Sequence, residues 1–221
     1  MKFIRGTPAL VIGRKLVIAD LHLGFEKHVK GLNVGNQTKR IADNVKRLLK
    51  ENCCNELIIL GDIKHSVTVR PDLEDVQAFV SDVKRFATIT LVMGNHDGSL
   101  QNYLDIRVVD GRGYRDGKYY FMHGHAAPKK EYVNCTVISS HIHPVIAFRD
   151  NLGGRIVEKI WLIGERLVIM PAFNPLIGGI DVRKSTLDVL EKRFDRRTLG
   201  IYLLDGLYLC NVGDLPEIDS L

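Results

Sequence analysis

Short apolar runs that end in a metal-ligating side chain recur along this chain and restrict what it can fold into. ADLHLG ends on Asp20 and His22, LIILGD on Asp62 and LVMGNHD on Asn95; FMHGH supplies His123, and VISSHIHP supplies His141 and His143. A carboxylate or imidazole directly after a buried strand is costly unless something compensates it. Several such exits, all carrying Asp, His or Asn, require a fold that gathers strand ends into one site. Hard oxygen ligands mixed with imidazole nitrogens suit Mn, Fe or Zn.

The stretches between these exits set the architecture. Residues 15–19 (KLVIA), 56–60 (ELIIL) and 88–93 (TITLVM) read as buried strands, with a polar loop after the first running to about residue 36. Residues 37–51 have helical periodicity, with Ile41, Val45, Leu48 and Leu49 on one face and Lys39, Arg40, Lys46, Arg47 and Lys50 on much of the other. A second helix is expected over 72–86, behind Pro71. Strands alternating with helices require parallel pairing through crossovers, and ligands gather at the carboxyl ends of such strands. Asp20, Asp62 and Asn95 stand at those ends.

After about residue 105 the pattern changes to short β-rich runs with tight turns. These are 106–109, 118–122 after the turn signal Asp116-Gly117, 135–139, 145–148, 155–163 and 166–170. The runs 199–204 and 207–212 flank Asp205-Gly206, a two-residue hairpin signal, and a helical segment is expected near 184–194. They predict a second, largely antiparallel sheet packed on the first. No Pro/Gly-rich linker divides the halves and both carry motifs, so residues 1–221 read as one domain.

A chain of 221 residues can bury a substantial core, and its composition is that of a soluble globular protein. The net charge of +5 is mildly basic and suits an anionic substrate. Cys53, Cys54, Cys135 and Cys210 lack paired CxxC spacing and read as reduced thiols, which places the expected location in the cytoplasm. The N-terminus has no uninterrupted apolar signal core and no stretch approaches membrane-spanning length, so no membrane partner is expected.

Each motif has a plain and a chemical reading. Asp20 and His22 are two apart, so on an extended strand both would reach one metal; alone, they equally describe a turn aspartate beside a solvated histidine. Gly61 allows a sharp turn that would set the Asp62 carboxylate between two cations, although a strand-ending aspartate looks the same. Gly94-Asn95-His96-Asp97 is more specific: Asn95 is a neutral oxygen ligand, and Asp97 is placed to fix the tautomer of His96. A protonated His96 could stabilise a phosphorane-like transition state or protonate a leaving oxygen. The spacing of His141 and His143 puts both imidazoles on one side of an extended segment, whereas His28 reads as an ordinary surface or core histidine.

The ordered series DLH, GD, GNHD, HGH and SHIH resembles the calcineurin-like metallophosphoesterase superfamily, whose pattern is DxH, GDxxD, GNHD/E, H and GHxH. Within it, ADLHLG, GDIKH and the later PAFNPLIGGIDV (171–182) look like a small prokaryotic branch of phosphoesterases associated with DNA ligase and helicase genes. The resemblance implies an α/β fold, a four-layer α/β/β/α sandwich of two mixed sheets, with two divalent metal ions. Mn is favoured, with Fe, Zn or Ni as alternatives. Carried over by motif, one metal takes Asp20, His22, Asp62 and His143, and the other takes Asp62, Asn95, His123 and His141. His96 becomes the catalytic histidine, with Asp97 holding it. Two departures stand out: His65 replaces the second Asp of GDxxD, and Ser140 replaces the Gly before His141.

Two cations about 3.5–4 Å apart would clamp the phosphate oxygens and lower the pKa of a bridging water, whose hydroxide attacks phosphorus. From the branch resemblance and the mild positive charge, the expected activity is a phosphodiesterase, favoured over a phosphomonoesterase, acting on nucleotide or nucleic-acid diesters. The alternative is a non-catalytic scaffold of the same fold in a repair or processing complex. Nucleic acid and DNA repair proteins such as a ligase or helicase are the partners the resemblance implies. HExxH and HxHxDH do not occur, which argues against zinc proteases and metallo-β-lactamase-like enzymes. His65 and His125 are candidates to contact a substrate phosphate. Phe173 and Asn174 could reach the site from the later loop or form a plain turn.

Overall fold

Strand runs apolar at every position need cover on both faces, and this chain covers them by stacking two sheets. The computed structural model describes residues 1–29, 34–68, 70–149 and 154–216. Residues 30–33 of the polar loop expected before residue 36 lie outside that set. The first sheet runs in order β1 (Lys2–Phe3), β2 (Leu10–Ile12), β3 (Lys15–Ala19), β4 (Glu56–Leu60), β5 (Thr88–Val92) and β6 (Arg107–Val109). From β3 to β6 all pairings are parallel, as the alternation of strands and helices requires. The helices are α1 (Phe25–His28), α2 (Gln37–Glu51) and α3 (Leu73–Val83).

Side-chain alternation sorts the core into layers. Leu16, Ile18, Leu57, Ile59, Ile89 and Leu91 face outward and pack with Ile41, Val45, Leu48 and Leu49 of α2 and Val76, Phe79 and Val83 of α3. The intervening Val17, Ala19, Ile58, Leu60 and Val92 face the second sheet. α2 has the predicted bounds because Asn36 caps it, its side chain accepting from the Lys39 amide at 2.8 Å. The second helix is shorter than the predicted 72–86. A 3₁₀ turn over Arg70–Asp72 precedes it, and it stops at Val83.

The second sheet comprises β7 (Tyr114–Asp116), β8 (Tyr119–Phe121), β9 (Thr136–Ser139), β10 (Pro144–Arg149), β11 (Arg155–Ile163), β12 (Leu167–Ile169), β13 (Ile180–Asp181), β14 (Gly200–Leu203) and β15 (Tyr208–Asn211). Its order is β13-β10-β11-β12-β9-β8-β7, with β14 between β11 and β15. The expectation of a largely antiparallel sheet needs correction at its centre, where β8, β9 and β12 run parallel. Their carboxyl ends, leading to His123, to His141 and His143, and to the 171–174 loop, therefore leave from one rim. Phe121, Ile138, Trp161, Val168 and Met170 face the first sheet. On the outer face, Tyr120, Val137, Ile160, Leu162, Leu167 and Ile169 are covered by Leu187, Leu190, Leu199 and Val212.

The layers thus run helix, sheet, sheet and an outer layer of 3₁₀ turns. The helix expected near 184–194 is reduced to one such turn at Asp188–Leu190. The Asp205-Gly206 hairpin takes in Leu204 as well, closing with Leu203 N–H donating to the Leu207 carbonyl at 2.9 Å. β1 and β2 escaped the sequence reading because they are two and three residues long. Cys53, Cys54, Cys135 and Cys210 are free thiols. Among the described residues, no helix is long and apolar enough to cross a membrane.

Candidate metal centre

All seven sequence-predicted ligands converge where the carboxyl ends of β3, β4, β5, β8 and β9 meet across the two sheets. Asp20, His22, Asp62 and His143 bring one ligand atom each within 4.8 Å of one another, and Asp62, His123 and His141 do the same. Asp62 belongs to both groups. Asn95 joins the second, its Oδ1 3.2 Å from His123 Nε2.

The pairs do not meet by the extended pleat that their spacing suggested. Asp20, His22, Asp62, His141 and His143 all have left-handed backbone, with φ of 54°, 42°, 47°, 77° and 42°. Such conformations cost about 1–3 kcal/mol each outside glycine and persist where surrounding structure over-determines them. Here that structure is visible. The amides of His22 and Leu23 donate to the Asp62 and Ile63 carbonyls at 2.8 and 2.9 Å, sewing the DLH loop to the GD loop. Phe173 N–H donates to the Ala19 carbonyl at 2.9 Å, and Asn174 Nδ2 donates to the Leu21 carbonyl at 2.8 Å. Phe173 and Asn174 are both buried and brace the DLH loop from behind.

His123 shows which of its nitrogens is free. Its Nδ1–H donates to the Leu60 carbonyl at 2.9 Å, which leaves Nε2 facing Asp62 Oδ2 at 3.5 Å and His141 Nδ1 at 3.2 Å. Ser140, substituting for the family glycine, donates its hydroxyl to the same Leu60 carbonyl at 2.8 Å. Both sheets are thus tied at the strand end that presents Asp62. Glycines keep the space open: a Cβ on Gly61 would lie 2.3 Å from His123 Nδ1, and one on Gly94 would lie 2.0 Å from Asp62 Oδ1.

The donor set fits cations. Among the described residues, both oxygens of Asp20, both nitrogens of His22 and Nε2 of His143 are buried and make no hydrogen bond. Leaving a buried polar atom unsatisfied costs about 1–3 kcal/mol, so so many in one place call for a compensating charge. Burial holds His22 neutral, pushing its pKa down to about 4. Burial also opposes the charge on His123, but the hydrogen bond to Asp62 and the charges of Asp20 and Asp62 raise it to about 9. Asp62 is held well below the usual carboxylate range: burial opposes this, and the His123 hydrogen bond and charge overcome it.

His96 lies at the open rim, a quarter exposed, with Nε2 3.9 Å from Asp62 Oδ2. Its Nδ1 is held by the His65 carbonyl. This corrects the expectation that Asp97 holds His96. The Asp97 carboxylate accepts instead from the amides of Ile63 at 3.0 Å and Gly94 at 2.8 Å, so it clamps the GD loop to the GNHD loop. Burial and the Asp62 charge push its pKa up to about 6.

Sequence reading missed Lys64, which is fully buried. Its ammonium donates to the carbonyls of Val67 at 3.0 Å, Ser66 and His96, holding the same two loops together. A lysine in GDIKH looks like solvent-facing charge, so only its burial reveals the role. His65 and His125 pack against ligand imidazoles, with ring centroids 5.6 Å from His22 and 5.2 Å from His123 respectively. Burial, aided by the neighbouring His123 and His141, drives His125 down to about 4. His28 is partly exposed and pairs with Asp72 Oδ1 at 3.3 Å.

A calcineurin-like phosphoesterase family model matches residues 13–187, and the chain belongs to that family. Among solved structures, it is similar to the nuclease MPE of Pseudomonas putida. The two share 28% identity with a TM-score of 0.65, over 89% of this chain and 88% of that one. It is also similar, at 17% identity and a TM-score of 0.42, to Yfce, a phosphoesterase from E. coli, over 89% of this chain and 96% of that one. A search of curated proteins gives no match.

Proposed function

We propose that this chain is a dinuclear metal-dependent phosphodiesterase acting on nucleotide or nucleic-acid diesters. The observation that carries the reading is the sharing of one carboxylate, Asp62, by two groups of converging ligand atoms. Asp20, His22, Asp62 and His143 would hold one divalent cation, and Asp62, Asn95, His123 and His141 the other, with Mn the favoured ion. Two cations held by these residues would supply the charge that neutralises phosphate oxygens and activates water at neutral pH.

The chain's own residues do the rest. Asn95 is exposed and His96 and His141 are each a quarter exposed, more than His143 or the buried aspartates, so a phosphate ester enters from their side. The His65 carbonyl orients His96 so that Nε2 faces the shared carboxylate; a protonated His96 there donates to a phosphate or leaving oxygen. Asp97 and Lys64 hold the loop that carries it. The nuclease neighbour at 28% identity and the net charge of +5 support a nucleic-acid diester as substrate. Ligands drawn from both sheets support treating residues 1–221 as one functional domain.

The test is hydrolysis of bis-p-nitrophenyl phosphate by metal-stripped protein with and without Mn²⁺. Mn²⁺-dependent turnover is expected, followed by cleavage of single- or double-stranded DNA or RNA. Absence of turnover by protein carrying two bound cations would overturn the diesterase reading.

A further inference from the structure

His141 is the ligand whose orientation the family motifs leave unexplained. Its Nδ1 lies 3.2 Å from His123 Nε2, on the side of the shared carboxylate. The opposite nitrogen, Nε2, lies 3.6 Å from Asp188 Oδ2. An imidazole that binds a cation through one nitrogen carries its proton on the other, and a carboxylate beyond that proton fixes both tautomer and ring orientation.

We infer that Asp188 is the positioning residue for His141, holding its Nε2–H so that Nδ1 faces the second cation site. Asp188 lies just past the segment matched by the family model, which ends at residue 187. Its place is built rather than incidental. Leu187 and Leu190 on either side are buried in the outer apolar layer. Glu191 ties the turn twice, its carboxylate accepting from the Leu187 amide at 3.1 Å and its amide donating to the Asp188 carbonyl at 3.2 Å. Asp188 itself has left-handed backbone, φ 50°, a conformation that aspartate tolerates better than most residues. Its side chain is half-exposed, and at 3.6 Å it stands just beyond hydrogen-bond range, so the carboxylate closes slightly on the imidazole to accept its proton.

The inference rests on the two-cation reading and deepens it. Its test uses the full chain as wild type, Asp188→Ala and Asp188→Asn. Metal-free protein labelled with ¹⁵N is read by long-range imidazole correlation spectra above the titrations of both His141 and His123, where His123 Nε2 carries no proton to donate to His141 Nδ1. Mn²⁺ binding is then followed by calorimetry. The wild type is expected to show His141 as the Nε2–H tautomer and to take up two cations. Asp188→Ala is expected to mix the tautomers and weaken one of the two sites by about 10–100-fold, the usual loss for such a carboxylate. Asp188→Asn retains an accepting oxygen and is expected to keep the tautomer. An unchanged tautomer and two unchanged affinities in Asp188→Ala overturn the role of Asp188 alone. A wild type that binds fewer than two cations overturns the two-cation reading, and this inference with it.

Discussion

Replacing Gly94 with alanine adds a single methyl group at the most crowded point of the site. That Cβ would stand 2.0 Å from Asp62 Oδ1 and 2.4 Å from the Asp62 amide nitrogen, where real Cβ contacts keep at least 3.0 Å. Asp62 or the GNHD loop must therefore move by about 1 Å. Overpacking of this kind costs about 1–3 kcal/mol of stability, or about 2–12 °C in Tm for a chain of this length. The functional cost is larger, because Asp62 serves both ligand groups and a 1 Å misplacement lowers turnover by about 10²-fold. Gly98 lies four residues on, in the same loop, and a Cβ there meets nothing within 4 Å. Gly94→Ala is expected to lose turnover on bis-p-nitrophenyl phosphate by about 10²-fold and to weaken both cations, while Gly98→Ala keeps wild-type values. Equal turnover and equal Mn²⁺ uptake in the two variants would refute the argument from steric exclusion.

Three further substitutions and one change of condition separate the remaining roles. Asp62→Asn should lower the uptake of both cations, whereas His96→Ala should keep metal content and lose about 10²–10⁴-fold in turnover; equal metal loss in both, measured by elemental analysis, would sink the division of roles. His123 is raised to about 9 in the metal-free protein, so below that pH a cation must displace its proton. Metal affinity should then climb with pH towards 9 by up to about tenfold per unit, with proton release in calorimetry across buffers; a flat profile between pH 7 and 9 would count against it. Lys64→Met removes the donor shared by the Ser66, Val67 and His96 carbonyls and should lower stability by about 1–3 kcal/mol in urea melts, with turnover falling because the His96 loop loosens. Wild-type melting and turnover would show that Lys64 is no strap.

The residues that converge at the candidate site were legible in the sequence because each stands close behind an apolar run that ends without warning. α2 was legible to the residue, since a four-residue apolar face marks it. What stayed hidden was backbone conformation: nothing in DLH or SHIH announces left-handed turns, so the spacing suggested extended strands. The parallel centre of the second sheet was equally hidden, because β8, β9 and β12 are three or four residues long and pair across long connections. Asp97 was read as the partner of its neighbour His96, yet adjacent residues diverge in a turn and its carboxylate meets amides from Ile63 and Gly94 instead. Lys64 and Ser140 act through burial and cross-sheet bonds that a linear pattern does not encode.

The tie at the Leu60 carbonyl, where His123 and Ser140 of one sheet meet the other, also bears on the order in which the chain is made. Asp62 leaves the ribosome before His143, by about 4–16 s at ordinary rates of synthesis. Through that interval the nascent chain holds Asp20 and Asp62 without the imidazoles of the second sheet. On the two-cation reading, tight loading of both sites would therefore wait until the second sheet is made.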